Sequence, residues 1–462
     1  MTVPAIADAR DALRAGDLDA ALAAIIAATE RLLAEGSPVW RLPIGWREAD
    51  ALCDEIGDRL AGTVAPRKSS SSRDLDLYIA TQVYAGGGHT AVIGDFIRGA
   101  GAARSEVLLT GTVERDIHPG GRPQEEIIER LGIDDGALAV CPEAGRADSA
   151  RWLIDQLRAR RPSRVFLFHH PQDAVAVAGA RASLCGELYL VHHADRQPCL
   201  GLFQRGITTV DLSPYTGEFT RRVLGLENTY APLTIADPGS PPARELTPPF
   251  TTASSGAAHK FGNSYAENIA RVLETTGGRH VHIGFLKEKR LDKIRAHLVG
   301  RGLGPERLEY IRWVPSLAKA LIELKVALGI GSSPLGGART AIESCAAGVP
   351  MLSHHPAFST RFGAGHLVPD TWPLWNSTDQ LIALLADVDA AWIADEGRRG
   401  REFYESHHHP EQLCKALADL AHSRLPVRAD LPLSELLDVS TLSSSLTGEW
   451  AFLRSELGDV LP

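Results

Sequence analysis

The chain has 462 residues, 44% of them hydrophobic and 23% charged, with a formal net charge of −9. That allows two or three globular domains of ~100–200 residues each, and the interspersed acids and bases argue against a nucleic-acid or strongly anionic membrane partner. The six cysteines include no CxxC pair, the start lacks the basic-then-apolar order of a signal peptide, and no apolar run approaches the ~20 residues that span a bilayer. The expectation is a cytoplasmic protein with reduced thiols, no transmembrane segment and no structural zinc.

Residues 1–65 are predicted to be a helical N-terminal extension. In DARDALRAGDLDAALAAIIAATERLLAEG, Ala and Leu recur at helical spacing, with Gly16-Asp17 as the break. The A-L-x-x-G-D-x-x-A-A order resembles a single tetratricopeptide-type hairpin; a helical cap or a contact for a partner or a second copy is the alternative. A polar linker, PRKSSSSR, follows.

Residues 74–235 alternate short β-branched or aromatic runs with helical stretches, as a parallel sheet with helices on both faces requires. Gly86-Gly87-Gly88-His89-Thr90 leaves the first such strand and opens a helix. The glycines allow close approach to the backbone, and an imidazole there suits a general base; a plain turn with His89 as a cap is the alternative. His169-His170-Pro171-Gln172-Asp173 and His192-His193-Ala194-Asp195 also follow strands. His170, Asp173, His193 and Asp195, with Gly87 and Gly88, are therefore expected to line the cleft beyond this sheet. Adjacent histidines on a strand point to opposite faces, which disfavours a metal site.

Five prolines in ADPGSPPARELTPP break the pattern, and residues 250–425 restart it. Thr251 to Lys260 places Ser255 beside a strand exit and gives Lys260 reach to a phosphate. Trp313, in the strand-to-loop stretch YIRWVPSL, is expected in the core or, by likeness to a known family, beside a nucleobase. In GIGSSPLGGARTAIESCAAGVPMLSHH a helix is predicted from Thr340. There Thr340 and Glu343 read either as a capping box or, with Gly336, Gly337 and Arg339, as a diphosphate and ribose site. His407-His408-His409 is expected in a solvated turn, and residues 426–462 form a tail without periodicity.

T-x-x-E-x-x-x-x-G-x-P, here Thr340, Glu343, Gly348 and Pro350, resembles the donor motif of GT-B glycosyltransferases, and Gly87-Gly88-His89 is similar to their first-strand loop. The peptidoglycan-precursor N-acetylglucosaminyltransferases are similar in both motifs; the stretch ending at Lys260 looks like that of O-GlcNAc-type protein transferases. The resemblance implies an α/β fold of two facing Rossmann-like domains, with a nucleotide sugar, commonly UDP-linked, held mainly by the second. It implies Glu343 at the ribose, and the acceptor, a saccharide, lipid-linked sugar or protein, held mainly by the first domain. On this reading His89 is the base, with Asp95, Asp173 and Asp195 as competitors. Lys260 and the Gly336–Thr340 amides take the leaving group without a metal or other cofactor. Retaining relatives place a glutamate eight positions before the second one; Leu335 stands there, which favours inversion. A non-hydrolysing UDP-sugar 2-epimerase and a nucleotide-sugar-binding scaffold are the rival readings.

Overall fold

A computed structural model of the protein describes residues 5–33, 45–62, 73–84, 88–111, 124–193, 199–222, 224–241, 246–355 and 363–424. Gly87, Asp195, the Ser-rich linker and the tail lie outside the described residues.

Among the described residues three helices come first: α1 (Ala5–Ala15), α2 (Leu18–Leu33) and α3 (Arg47–Ala61). Gly16 turns the chain with a φ of +81° at the expected break, and Asp17 accepts from the Ala20 amide at 2.9 Å in the first turn of α2. Their apolar stripes, among them Leu13, Leu22, Ile25 and Ile56, share one core with Leu77, Ile79, Val165 and Leu167 of the sheet beneath. Burial against the helices that cover that sheet, through Ala150, Leu153 and Val175 among others, and not stacking on further repeats, is what stabilises the hairpin.

The first sheet is built from β1 (Arg73–Ala80), α4 (Gly88–Ala100), β2 (Ser105–Leu109), α5 (Gln124–Leu131), β3 (Leu138–Val140), α6 (Arg146–Arg160), β4 (Pro162–Phe168), α7 (Ala174–Gly179), β5 (Glu187–His192), β6 (Ile207–Asp211), α8 (Pro214–Arg222) and β7 (Asn228–Tyr230). All seven strands are parallel, in the order β3-β2-β1-β4-β5-β6-β7. Strands covered on both faces need apolar residues at successive positions, and Leu77 to Ala80 and Val165 to Phe168 supply them, all fully buried. At the amino end of β1, buried Asp76 receives two bonds from Arg164, at 2.7 and 2.5 Å, and one from Arg104 at 3.0 Å.

The second sheet comes from β8 (Thr252–Ser255), α9 (Tyr265–Thr276), β9 (His280–Ile283), α10 (Glu288–Gly300), β10 (Leu308–Ile311), α11 (Leu317–Glu323), β11 (Leu328–Ile330), α12 (Ala338–Ala346), β12 (Met351–His354) and β13 (Leu374–Trp375), followed by α13 (Thr378–Ala386), α14 (Ala390–His407) and α15 (Pro410–Ala418). Its order, β10-β9-β8-β11-β12-β13, repeats the first six positions of the seven-stranded sheet. Gly348, at φ +60°, ends the turn after α12, and a Cβ on Gly397 of α14 would lie 2.5 Å from the Gly348 carbonyl oxygen. Only glycine permits that approach.

The chain divides into two compact units, one reaching Pro232 and regaining the chain at Leu413, the other running from Leu233 to Gln412. Composition placed the end of the second near residue 425; instead Arg164 donates to the Leu417 carbonyl at 2.6 Å and Ser423 pairs with Tyr230, both within the first unit. His408 also departs from expectation. It is buried, with its Nδ1 bonded to the Leu233 carbonyl at 2.7 Å, and burial pushes its pKa down to about 4. It fastens the chain entering the second unit, alongside Tyr404, whose hydroxyl donates to the Ile235 carbonyl at 3.1 Å.

Candidate functional site

A doubly wound parallel sheet opens a crevice where the strand order reverses, beyond the carboxyl ends of the two strands that diverge there. In the first unit those strands are β1 and β4, and in the second β8 and β11. His89 follows β1 and His170 follows β4, while Lys260 follows β8 and Gly336 follows β11. Each expected group thus sits at its own sheet's point of reversal.

In the first unit, strand alternation sorts the histidine pairs. His169 turns into the core and bonds the Leu200 carbonyl at 3.0 Å, and His192 pairs with Asp211 at 3.0 Å. Their neighbours meet His89 instead, with ring centroids 5.6 Å away for His170 and 4.5 Å away for His193. Tyr84, which the sequence did not single out, stacks on His170 and places its hydroxyl 2.8 Å from His170 Nε2. Gly88 begins α4, so His89 stands in that helix's first turn.

The protonation of His89 follows from its surroundings. Nε2 lies 2.6 Å from the Phe168 carbonyl oxygen, which only accepts, so Nε2 carries the hydrogen. Burial, with the charges of His170 and His169 adding to it, pushes the pKa down to about 4. The ring is therefore neutral near pH 7, and its Nδ1 holds a lone pair that is buried without a partner among the described residues. Burial also holds His193 well below the usual histidine range.

Asp173 has a different post. One oxygen accepts from the Thr81 and Thr110 hydroxyls at 2.7 and 2.6 Å, and the other caps α7 through the Ala176 amide at 3.0 Å. Its carboxylate is a clamp on the ends of β1 and β2, and Thr81 passes the link on by accepting from the His170 amide at 2.8 Å. Asp95 is paired with Arg98 on α4, at 2.6 Å.

In the second unit, Lys260 ends a short 3-10 turn, and its loop is laced to the loop after β11: Gly262 donates to the Ser333 carbonyl at 2.7 Å. That brings the ammonium to the start of α12, where a Cβ built on Gly337 would meet Lys260 Nζ at 3.4 Å and Thr340 Oγ1 at 2.9 Å. Gly331, Ser332, Gly336, Gly337, Thr340, Met351, Ser353, His354 and Ala364 line a depression of about 250 Å³, counting the solvent at its mouth. A helix N-terminus and two glycines at the hollow, with the Lys260 ammonium beside Gly337, make an anion-binding arrangement.

The capping box does not form. Helix α12 starts at Ala338 with Gly337 as its N-cap, two residues before Thr340. Glu343 then lies a turn inside, where its carboxylate reaches α11 and accepts from the Ala318 amide at 2.9 Å. Arg339 donates to the Thr234 carbonyl at 3.0 Å. Ser255, Lys260, Trp313, Arg339 and Glu343 are not among the residues lining the depression. Trp313 is 70% exposed, which removes it from the core. Sequence reading missed Ser353 and His354, whose Oγ and Nδ1 are buried without partners among the described residues. The signal was present: S-H-H closes the strand next to β11, hard by the reversal point.

No protein-family model and no curated protein sequence matches the chain. Among solved structures it is similar to an O-GlcNAc transferase variant of Thermobaculum terrenum, at 13% identity over 94% of this chain and 83% of that one, with a TM-score of 0.50. It is similar to HepE of Anabaena in complex with UDP and glucose, at 10% identity over 76% of this chain and all of that one (100%), TM-score 0.54. A glycosyltransferase of Rickettsia africae gives 9% identity, 75% and 98% coverage, and a TM-score of 0.56. The fold is GT-B, as the two motifs implied. Among the described residues no helix is long and apolar enough to cross a membrane.

Proposed function

We propose that the protein is a glycosyltransferase that moves a sugar from a nucleotide-sugar donor, UDP-linked by preference, to a hydroxyl or amide of a saccharide, lipid-linked or protein acceptor. The observation that carries this reading is the convergence of Lys260, Gly336, Gly337 and the amino end of α12 at the β8/β11 reversal of a GT-B chain. HepE, similar in fold, has been solved with UDP and glucose bound.

On this reading the sugar–diphosphate C–O bond breaks as the acceptor's bond to the anomeric carbon forms. The acceptor proton passes to Nδ1 of His89, a lone pair already held ready by the Nε2–H bond to Phe168. Negative charge gathering on the diphosphate is met by the Lys260 ammonium and the first-turn amides of α12, so no metal is called for. Leu335 stands where retaining relatives place a carboxylate, which supports inversion. The ribose falls to Glu343 through the carboxylate that also caps α11. We place the activity in the cytoplasm.

A thermal-shift screen of the full chain against UDP, ADP, GDP, TDP and their sugars tests this. A selective rise with one nucleotide and its sugar is expected; a flat response to all of them at millimolar concentration overturns the reading.

A further inference from the structure

Helix α3 carries Asp50, Asp54 and Asp58 at i, i+4 and i+8, hence on one stripe. All three reach the segment from Gly201 to Arg205. Asp50 accepts from the Gly201 amide at 2.7 Å and, with its other oxygen, from the Phe203 amide at 2.9 Å. Asp54 accepts from the Arg205 amide at 3.0 Å and from Arg181 at 2.7 Å, and Asp58 pairs with Arg181 at 2.5 Å and with Arg205. Three alternate amides of one strap are thus held by one helix.

The strap's other edge meets the exit of β4. Leu200 donates to the Pro171 carbonyl at 2.9 Å, and its own carbonyl accepts from His169 Nε2 at 3.0 Å. A Cβ on Gly201, whose φ is +96°, would come within 3.5 Å of the His169 ring. His170 follows directly and bears on Tyr84 and His89. A continuous set of contacts therefore runs from the N-terminal helical layer to the proposed base.

We propose that Asp50 is a positioning residue: as a carboxylate bonded to both the Gly201 and Phe203 amides, it lets the N-terminal helices hold the 199–205 strap and, through His169 and Pro171, set the geometry of His170 and His89. The inference rests on the transferase reading for its catalytic readout. A carboxylate oxygen that takes a proton becomes a donor facing an amide donor, so protonation of Asp50 costs the strap one of its two bonds. Burial pushes the Asp50 carboxyl up to about 7, with the charge of Asp54 adding and the two amides opposing. Cys53 and Cys199 also face it, their thiols held protonated by burial, while Arg181 and Arg205 are engaged by Asp54 and Asp58. Since His89 loses its proton near 4, an activity limb close to pH 7 that Asp50→Asn removes belongs to Asp50 and not to the base.

The full chain is assayed for UDP release from UDP-glucose between about pH 5.5 and 8.5, as wild type and as Asp50→Asn, whose amide mimics the protonated acid. Wild-type kcat is expected to fall as pH drops through about 7. The variant loses that limb, stays at about one tenth of the wild type's high-pH kcat throughout, so that the two rates converge towards pH 5.5, and keeps KM within about twofold. A variant with wild-type kcat and an unchanged limb overturns the proposal. Absence of any wild-type turnover counts against the transferase reading alone, and the strap is then judged by diethyl pyrocarbonate labelling resolved by peptide. The peptide bearing His169 and His170 should label at least about fivefold faster in Asp50→Asn, and equal rates overturn the proposal. Should that variant fold poorly, Asp54→Asn, which releases the Arg205 end, must shift the same labelling in the same direction.

Discussion

Replacing Gly337 by alanine separates a ligand cradle from a simple turn. Its φ of −113° is open to any residue, so the backbone is not strained by the change. The added methyl would meet Thr340 Oγ1 at 2.9 Å and Cβ at 3.1 Å, with Lys260 Nζ at 3.4 Å. Lys260 Nζ is the end of a flexible side chain and gives way, whereas Thr340 Cβ is held by the backbone of α12, so the first turn must shift by a few tenths of an ångström. Loss of unfolded-state freedom returns about 0.4–1 kcal/mol, so net stability should change by less than about 1 kcal/mol. A diphosphate loses more. Displacing one charge-assisted amide or ammonium contact costs about 1.5–3 kcal/mol, equivalent to roughly a 10- to 150-fold weaker Kd. Calorimetric titration with UDP, beside a thermal melt of the same sample, measures both. Wild-type affinity in Gly337→Ala would refute the anion cradle, and a large fall in Tm would show that Gly337 serves packing instead.

Two further outcomes follow from the histidines. In His89→Gln the side-chain amide can still donate to the Phe168 carbonyl but offers no basic nitrogen, so kcat should drop about 10²- to 10⁴-fold while UDP affinity, set in the other unit, stays put; an unaltered turnover rate removes His89 from the mechanism. Burial pushes His89 and His408 down to about 4, and His280, His282 and His354 down to about 3. Unfolding lets each bind a proton near 6.5, so stability is full above that pH and is lost as pH falls towards the folded values. Asp50 works in the opposite sense, since its raised value favours the folded state as pH falls from 7, but it is one group against five. Tm is therefore expected to fall steadily between pH 6.5 and 4.5, and a flat Tm across that window contradicts the burial of these rings.

Much of the architecture was legible because the helical and strand periods differ and because glycine and proline punctuate them. The Gly16-Asp17 break, the strand exits at His89 and Lys260 and the restart after the proline-rich stretch all follow from local rules. What local rules missed depends on residues distant in sequence. Nothing near His408 announces that the Leu233 carbonyl will take its Nδ1–H, 175 positions away. The stripe of acids on α3 looks like a solvated face until the 201–205 amides arrive beside it.

Carboxylates near helix starts show most clearly where residue type stops being informative. Asp173 and Glu343 both follow strand exits, and both suit a catalytic or ligand role by chemistry. The deciding quantity is how their lone pairs are engaged. Asp173 shares its two oxygens among two hydroxyls and a helix amide, so taking a proton would cost it bonds that hold β1, β2 and α7 together. His89 stands opposite: one nitrogen is fixed by a carbonyl, and the other is buried with nothing described to satisfy it. A buried acceptor left without a donor costs about 1–3 kcal/mol, a penalty that an arriving hydroxyl would relieve. That asymmetry, more than the resemblance of any motif, is why the proposed base is His89 and not Asp173.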